Sequence, residues 1–306
     1  MKFSIVTPNY NYGRFLGKAL ESVLAQADVP GAPEIEHVVI DGGSKDGSVA
    51  ILEKWAASAA ERPATKAGRY SFSFVSEPDK GQTDAINKGL RRATGDVVAW
   101  LNADEWYLPG KLAAVASFFA SHPKADFVYG EPLFVREDGT PIRVKRDHWF
   151  SKFVLLCHGC HIASCCSFWR KELLEKDGYL DPAFKVAMDY EYFCRLVRRG
   201  RKFVFVPAIV GAFAWHDGNI SSEFSERGRV EVSAVKSSGT DAFAAICKKR
   251  VGEAVLGFAG HQWRRALVLA RLATRPAERW RPSPSAGERE AAGACNPAMA
   301  EVSRNG

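Results

Sequence analysis

A chain of 306 residues, 46% hydrophobic and 25% charged, is ordinary for a soluble globular protein and long enough for one large or two modest cores. Its net charge of +7 is unevenly placed: residues 225–306 hold 14 Lys and Arg against 8 Asp and Glu, which leaves +1 for the first 224. A neutral body with a basic C-terminal appendage argues against a dedicated nucleic-acid-binding fold and fits a surface that meets an anionic partner.

The sequence begins Met1-Lys2-Phe3 and enters a strand-like run at once, without the pattern of a secretory signal. The longest uncharged apolar run, residues 203–215, is 13 residues long and interrupted by Pro207 and Gly211, too short for a membrane span. Seven cysteines, an odd number, suggest reduced thiols in a cytoplasmic protein.

Residues 3–7 (FSIVT) read as a first buried strand, closed by Pro8 and the polar-aromatic run Asn9-Tyr10-Asn11-Tyr12-Gly13. Between 14 and 26 the apolar positions Phe15, Ala19, Val23 and Leu24 recur at helical spacing. A second strand, 35–40 (IEHVVI), ends at Asp41-Gly42-Gly43-Ser44, and Asp46 or Ser48 can cap the helix that follows. After a polar connection at 61–69 come a third strand, 70–75, the loop Ser76-Glu77-Pro78-Asp79-Lys80-Gly81, and a helix carrying Ala85, Ile86 and Leu90 on one side. The fourth strand, 97–101 (VVAWL), stops abruptly at Asn102, Asp104 and Glu105.

Four strand–helix repeats predict a doubly wound α/β sheet with a parallel core. In such a sheet ligands bind at the carboxyl ends of the strands, which here are the polar ends just named. Two acids at one strand end suit a hard divalent cation that bridges to phosphates; the plainer reading is a pair of solvated loop carboxylates. Neither G-x-G-x-x-G after the first strand nor G-x-x-x-x-G-K-S/T occurs, so a bound nucleotide would rest on side chains and a metal.

Beyond 106 the pattern predicts a helix at 109–122, a strand at 126–129 and a hairpin joining 133–135 to 142–144 through Glu137-Asp138-Gly139-Thr140. Alternation then lapses until a helix at 188–199 and a strand at 202–206. The intervening region, about 130–187, reads as the part that contacts a second substrate. Residues 223–275 read as a helical extension, and 276–306, rich in Pro, Ala, Gly, Ser and Glu, as a disordered tail.

Six segments in one order carry a family resemblance: TPNYNYGRFLGKALESVLAQ at 7–26, VVIDGGSKDGS at 38–48, SEPDKGQTDAINKGLRRATGDVVAWLNADE at 76–105, GYLDPAF at 178–184, MDYEYFCRL at 188–196 and WHDGNIS at 215–221. The chain resembles the family 2 glycosyltransferases of bacterial cell-surface polysaccharide synthesis. That resemblance implies a GT-A fold, a Rossmann-like, mostly parallel doubly wound sheet with C-terminal helices. It divides residues 1–222 into a nucleotide-sugar-binding half (1–106) and an acceptor half (107–222). It also implies inverting transfer of a sugar from a nucleoside diphosphate sugar to a glycan or lipid-linked acceptor, with Mg or Mn.

Carried over by position, the resemblance sets Pro8 and Tyr10 beside the nucleobase and has Asp41 accept from base or ribose. Asp79, Gly81 and Asp84 would lie along the nucleoside and diphosphate. Asn102-Ala103-Asp104 takes the D-x-D position, with Asn102 toward the ribose and Asp104 a metal ligand. His216, near the diphosphate, would be the second metal-site residue, and Asp189 would be the catalytic base. The family more often has Asp at 102 and 105, where this chain has Asn102 and Glu105. That departure motivates an alternative, a nucleotide-sugar-binding domain without catalysis that acts as a regulatory or scaffold subunit. Without the family pattern, Asp189 reads as a first-turn helix acid and His216 as a satisfied polar residue.

Cys157, His158, Cys160, His161, Cys165 and Cys166 fall within ten residues, too close together for paired zinc knuckles, so the cysteines read as small packed residues. Residues 261–281 hold six Arg against one Glu, with Trp263 and Trp280. This basic amphipathic pattern suits either a helix packed with its arginines in water or contact with an anionic membrane surface. The second reading places the enzyme as a peripheral protein at the inner face of the membrane.

Overall fold

The first strand, β1 (Lys2–Asn9), is buried from its second residue to its last, so it must lie between other strands and beneath cover on both faces. The structure is a computed structural model that describes residues 1–60, 70–219, 226–238 and 262–268. β1 pairs in parallel with β2 (Glu34–Asp41) on one side and β4 (Val97–Trp100) on the other, and β3 (Tyr70–Ser76) adds in parallel to β2. The connections are α1 (Gly13–Leu24), α2 (Ser48–Ala60) and α3 (Gln82–Arg92).

The second half supplies β5 (Glu105–Tyr107), α4 (Lys111–Ser121), β6 (Phe127–Arg136), β7 (Pro141–Val144), β8 (Ser167–Arg170), α5 (Glu172–Asp177), α6 (Met188–Arg198) and β9 (Phe203–Trp215). The strands form one nine-stranded sheet in the order β3-β2-β1-β4-β8-β6-β9-β5, with β7 on β6. β8 runs antiparallel to both its neighbours, whereas β6 and β9 are parallel. Alternation along β4 divides the core into two layers. Val98 and Trp100 pack with Phe193 and Leu196 of α6, and Val97 and Ala99 with Leu112 and Phe119 of α4.

All four expected strands of the first half lie where the apolar runs place them, and the 133–144 hairpin is present, with Leu133 opposite Val144 and Gly139 at φ +90° in the turn. Three strands differ from expectation: β5, three residues read as part of the acidic loop after the fourth strand, pairs with β9 and was not anticipated. β8 was not anticipated, since four residues beside a cysteine-rich loop carry no period of their own. β9 runs to Trp215 rather than stopping at 206, with Pro207 and Gly211 inside it. The β6–β9 register shifts around Glu131, and such a bulge accommodates a proline in a strand. Gly130 is required there, since an added Cβ would fall 2.4 Å from Val210 Cγ2 and 2.9 Å from the Ala208 carbonyl oxygen.

Of the expected C-terminal extension, α7 (Glu226–Ser237) is described and buries Val235 in the core that holds α6. Residues 262–268 are helical (α8), and Trp263 is 53% exposed. The expected boundaries at 222 and 275, the tail 276–306 and most of the 261–281 segment lie outside the described residues. Within the described residues no helix is long and apolar enough to cross a membrane. Among the described residues Cys160, Cys165, Cys166 and Cys194 are free thiols, and Cys165, Cys166 and Cys194 are buried.

Close packing of α3 on β1 sets the position of the α3 N-terminus. A Cβ at Gly89 would lie 2.2 Å from Val6 Cγ1, a fully buried side chain. Gly89→Ala is expected to destabilise the fold by about 1–3 kcal/mol through overpacking, measured as a lower urea midpoint at unchanged slope. An unchanged midpoint would show that α3 can shift freely on β1.

Candidate active site

The loops leaving β1 and β2 are fastened to each other by side chains. Asn9 closes β1 and donates from Nδ2 to Asp41 Oδ1 at 2.6 Å. Asp41 closes β2 and also accepts from Gly43 N (3.1 Å), Ser44 N (2.9 Å), Ser44 Oγ (2.5 Å) and Ser76 Oγ (2.7 Å). Burial alone would raise its pKa, but these donors outweigh burial and hold the carboxyl below its usual range. Asn11, in the left-handed region at φ 55°, donates its N–H to Ser44 Oγ and accepts from Lys45 N, each at 2.8 Å. Asp46 accepts from Gly13 N at 2.8 Å and caps α2 through Ser48 N at 3.1 Å.

These loops wall a cavity of about 700 Å³ at the carboxyl ends of the parallel strands. Seven of the expected site residues line it: Pro8, Tyr10, Asp79, Gly81, Asn102, Asp104 and Asp189. Asp41 does not; its oxygens hold the loop, and the wall beside it is Gly42. A Cβ on Gly42 would meet Asp79 Oδ2 at 2.5 Å, so glycine lets the two loops approach. Asp84 is also outside the lining, where it closes the first turn of α3 on Lys80 N at 3.1 Å. Asp79 Oδ1 accepts from Gly81 N at 2.7 Å, and Gly81 has φ +106°, a backbone state open to glycine.

At the end of β4, Asn102 Oδ1 accepts from Gln82 Nε2 at 2.8 Å, and Asn102 N–H donates to Glu105 Oε2 at 2.9 Å. Glu105 is buried; that burial first, and the Asp104 charge second, push its pKa up, so the charge at this strand end rests on Asp104. Asp104 Oδ2 meets His216 Nε2 at 3.0 Å and Asn219 Nδ2 at 3.1 Å, while Oδ1 has no hydrogen-bond partner among the described residues. His216 Nδ1 accepts from Gly218 N at 3.1 Å, which leaves the ring proton on Nε2 to donate to Asp104. His216 is buried and outside the cavity lining, so it orients Asp104 from behind.

Asp189 enters the cavity from the first turn of α6. Burial pushes its pKa up to about 6, against the pull of the Tyr190 amide and the Lys145 charge. The loop before it is held by Glu231 of α7, whose carboxylate accepts from the amides of Lys185 (3.0 Å), Val186 (2.8 Å) and Ala187 (2.9 Å) and pairs with Arg227. Lys185 lines the cavity and donates from Nζ to the Lys80 carbonyl at 2.8 Å. Gln82, Lys185, Asn219 and Glu231 were not singled out in the sequence. Gln82 and Asn219 lie inside the resembling segments, whereas nothing local marks Lys185 or Glu231.

Among the described residues the cavity lining has three carboxylates, Asp79, Asp104 and Asp189, against one ammonium, Lys185. An anionic ligand would enter such a cavity with a cation beside it. The unpartnered Asp104 oxygen is a suitable ligand for Mg or Mn, which bind through one or two carboxylates and complete their shells with phosphate and water.

The sequence pattern of the family described as Glycosyl transferase family 2 matches residues 4–178. A PGL/p-HBAD biosynthesis glycosyltransferase of Mycobacterium tuberculosis is 29% identical over 193 residues, 62% of this chain and 67% of that protein. The chain spans from a third to two thirds of the length of the curated relatives it matches. The structure of Staphylococcus aureus TarS 1-349 in complex with UDP-GlcNAc superposes with a TM-score of 0.62 at 20% identity, over 91% of this chain and 77% of that one. That of the mannosyltransferase PcManGT of Pyrobaculum calidifontis, in complex with GDP-Man and Mn2+, gives 0.59 at 20% identity, over 95% and 79%. These likenesses show the fold, the GT-A type doubly wound α/β sheet expected from the sequence.

Because Glu231 satisfies three amides ahead of α6, Glu231→Ala is expected to cost about 1–3 kcal/mol for the unsatisfied groups, and Glu231→Gln less, since it keeps an acceptor. Denaturant midpoints of the two variants check this. Equal midpoints for Glu231→Ala and the parent would mean that water serves these amides as well.

Proposed function

The chain belongs to glycosyl transferase family 2, and from that premise we propose that it moves a sugar from a nucleoside diphosphate sugar to an acceptor hydroxyl, inverting the anomeric carbon. The observation that carries this reading is a single cavity with an open carboxylate oxygen on Asp104 and a half-buried, weakly acidic Asp189. One group suits the leaving group's side of the reaction and the other suits the incoming hydroxyl.

Pro8, Tyr10, Asp79, Gly81 and Asn102 border the nucleoside and its diphosphate, while Asp41 and Asp84 shape that wall from outside it. Bound Mg or Mn, held by Asp104, would supply Lewis-acid neutralisation of the departing diphosphate. His216 and Asn219 fix the Asp104 rotamer for that task. On the opposite side, the acceptor oxygen bonds to the anomeric carbon as the bond from that carbon to the diphosphate oxygen breaks. The electron pair leaves with the nucleoside diphosphate, and the acceptor's proton passes to Asp189. A single base facing a single leaving group gives inversion.

For the acceptor we propose a glycan or lipid-linked glycan of surface polysaccharide synthesis. The supporting feature is the surplus of basic residues after 224, which would favour an anionic surface at the inner face of a membrane. The reading without catalysis differs from this one in having no use for a base in the cavity.

Asp189→Asn is expected to bind the nucleotide sugar within a few-fold of the parent and to lose turnover by about 10²–10⁴. In the parent, Asp189 must be ionised to accept a proton, so kcat/KM is expected to rise with pH through about 6 and then level off. Steady-state transfer or donor hydrolysis across pH 5–8 reads both effects. Turnover of Asp189→Asn close to the parent would assign the proton to another group, and donor binding without any turnover in the parent would favour the non-catalytic reading.

A further inference from the structure

Asp147, His148 and His161 meet in the interior, apart from the catalytic cavity, none of whose lining residues they are. Asp147 and His148 follow β7, and His161 precedes the short turn Ser164–Cys166 that leads into β8. Their exposures are 0%, 0% and 2%.

The protons in this cluster can be placed from its partners. His148 Nδ1 lies 2.7 Å from the Trp149 carbonyl oxygen. A carbonyl can only accept, so Nδ1 carries the proton and Nε2 presents a lone pair. Nε2 is buried without a hydrogen-bond partner and faces Asp147 Oδ1 at 3.7 Å. The lone pair of His148 Nε2 is therefore a buried acceptor without a donor, an arrangement that costs free energy unless something positive reaches it. On its other side the Asp147 carboxylate meets His161 Nδ1 at 3.0 and 3.2 Å, and His161 Nε2 is also buried without a partner.

We propose that Asp147, His148 and His161 form a structural binding site for a divalent transition-metal ion of the zinc class, separate from the divalent ion of the catalytic cavity. One carboxylate and two neutral imidazoles make a donor set that suits zinc better than magnesium. One ligand atom from each residue lies within 4.8 Å of the other two. The separations of 3.0 and 3.7 Å bracket the edge of about 3.3 Å in a tetrahedron with bonds of about 2.0–2.1 Å. Binding moves the His161 ring proton from Nδ1 to Nε2, so that Nδ1 presents its lone pair to the ion and both imidazoles stay neutral. The fourth position falls to water.

The ion would fasten the long segment between β7 and β8. Along that segment Lys145 donates from Nζ to the His161 carbonyl at 2.8 Å, and Ser164 reaches the catalytic cavity wall. The local sequence pointed elsewhere: His161 sits among cysteines, but its partners are an Asp-His pair beyond the hairpin.

The test uses the full chain, stripped with a chelator and loaded with zinc sulfate alone, in an Asp104→Ala background that removes the catalytic cavity's metal ligand. About one zinc per chain is expected to survive desalting, measured by elemental analysis, together with a higher melting temperature than the stripped protein. His148→Asn keeps an N–H where Nδ1 lies but removes Nε2. It is expected to melt like the stripped parent and to bind zinc at least 100-fold more weakly, and His161→Gln should also lose the ion. Cobalt(II) titrated into the stripped parent provides a check that needs no further variant, because a tetrahedral N/O site gives an intense visible band. The proposal is overturned if the Asp104→Ala chain retains no zinc, if cobalt gives only the weak spectrum of its aquo ion, or if both histidine variants hold zinc like the parent.

Discussion

Asp79, Asp104 and Asp189 face one cavity in which Lys185 is, among the described residues, the single positively charged lining residue. Like charges about 4 Å apart repel by about 4 kcal/mol at the effective dielectric of a protein surface, so a diphosphate adds its own charge to an already unfavourable balance. Two features relieve part of it. Burial pushes the Asp189 carboxyl toward its neutral form, and Glu105, beside Asp104, is pushed further the same way. Asp79 and Asp104 remain, and the one unpartnered oxygen of Asp104 marks where a divalent cation would be held.

Carboxylates also serve as the fasteners that keep the site open. Asp41 collects donors from three segments, Glu231 satisfies three amides before α6, and buried Asp177 takes a two-pronged grip from Arg201 at 2.7 and 2.9 Å. Each holds a loop that has no strand or helix to define it. Donors to the ionised form offset the cost of burying these charges, and they let the catalytic side chains sit on backbone that is already ordered. The helix α7 belongs to this set through Glu231, so the C-terminal region takes part in the site from outside the cavity.

Most of residues 3–105 was legible in the sequence because a strand buried on both faces has to be an apolar run and its covering helix has to be periodic. β8 was illegible because four residues between antiparallel neighbours owe their structure wholly to those neighbours. β9 was cut short in the reading because Pro207 and Gly211 look like strand breakers until the bulge at Glu131 is seen. In the site, Asp104 and Asp189 stood out as acids at an expected strand end and helix start. The resemblance could not show that the Asp41 oxygens are filled from within, nor that the Gly218 amide fixes the His216 proton toward Asp104. Both facts depend on atoms brought together by the loops, as does the pairing of His161 with Asp147 and His148.

The central claim is that this cavity accepts a nucleoside diphosphate only together with a divalent cation. Calorimetric titration of UDP and GDP into the full chain, with Mn2+ and separately with EDTA, measures it directly. The account predicts binding of at least one nucleotide with Mn2+ and at least a 10-fold loss of that affinity with EDTA. Equal affinity in both conditions would contradict it, because the three carboxylates would then be no obstacle to the diphosphate and Asp104 would have no metal to hold.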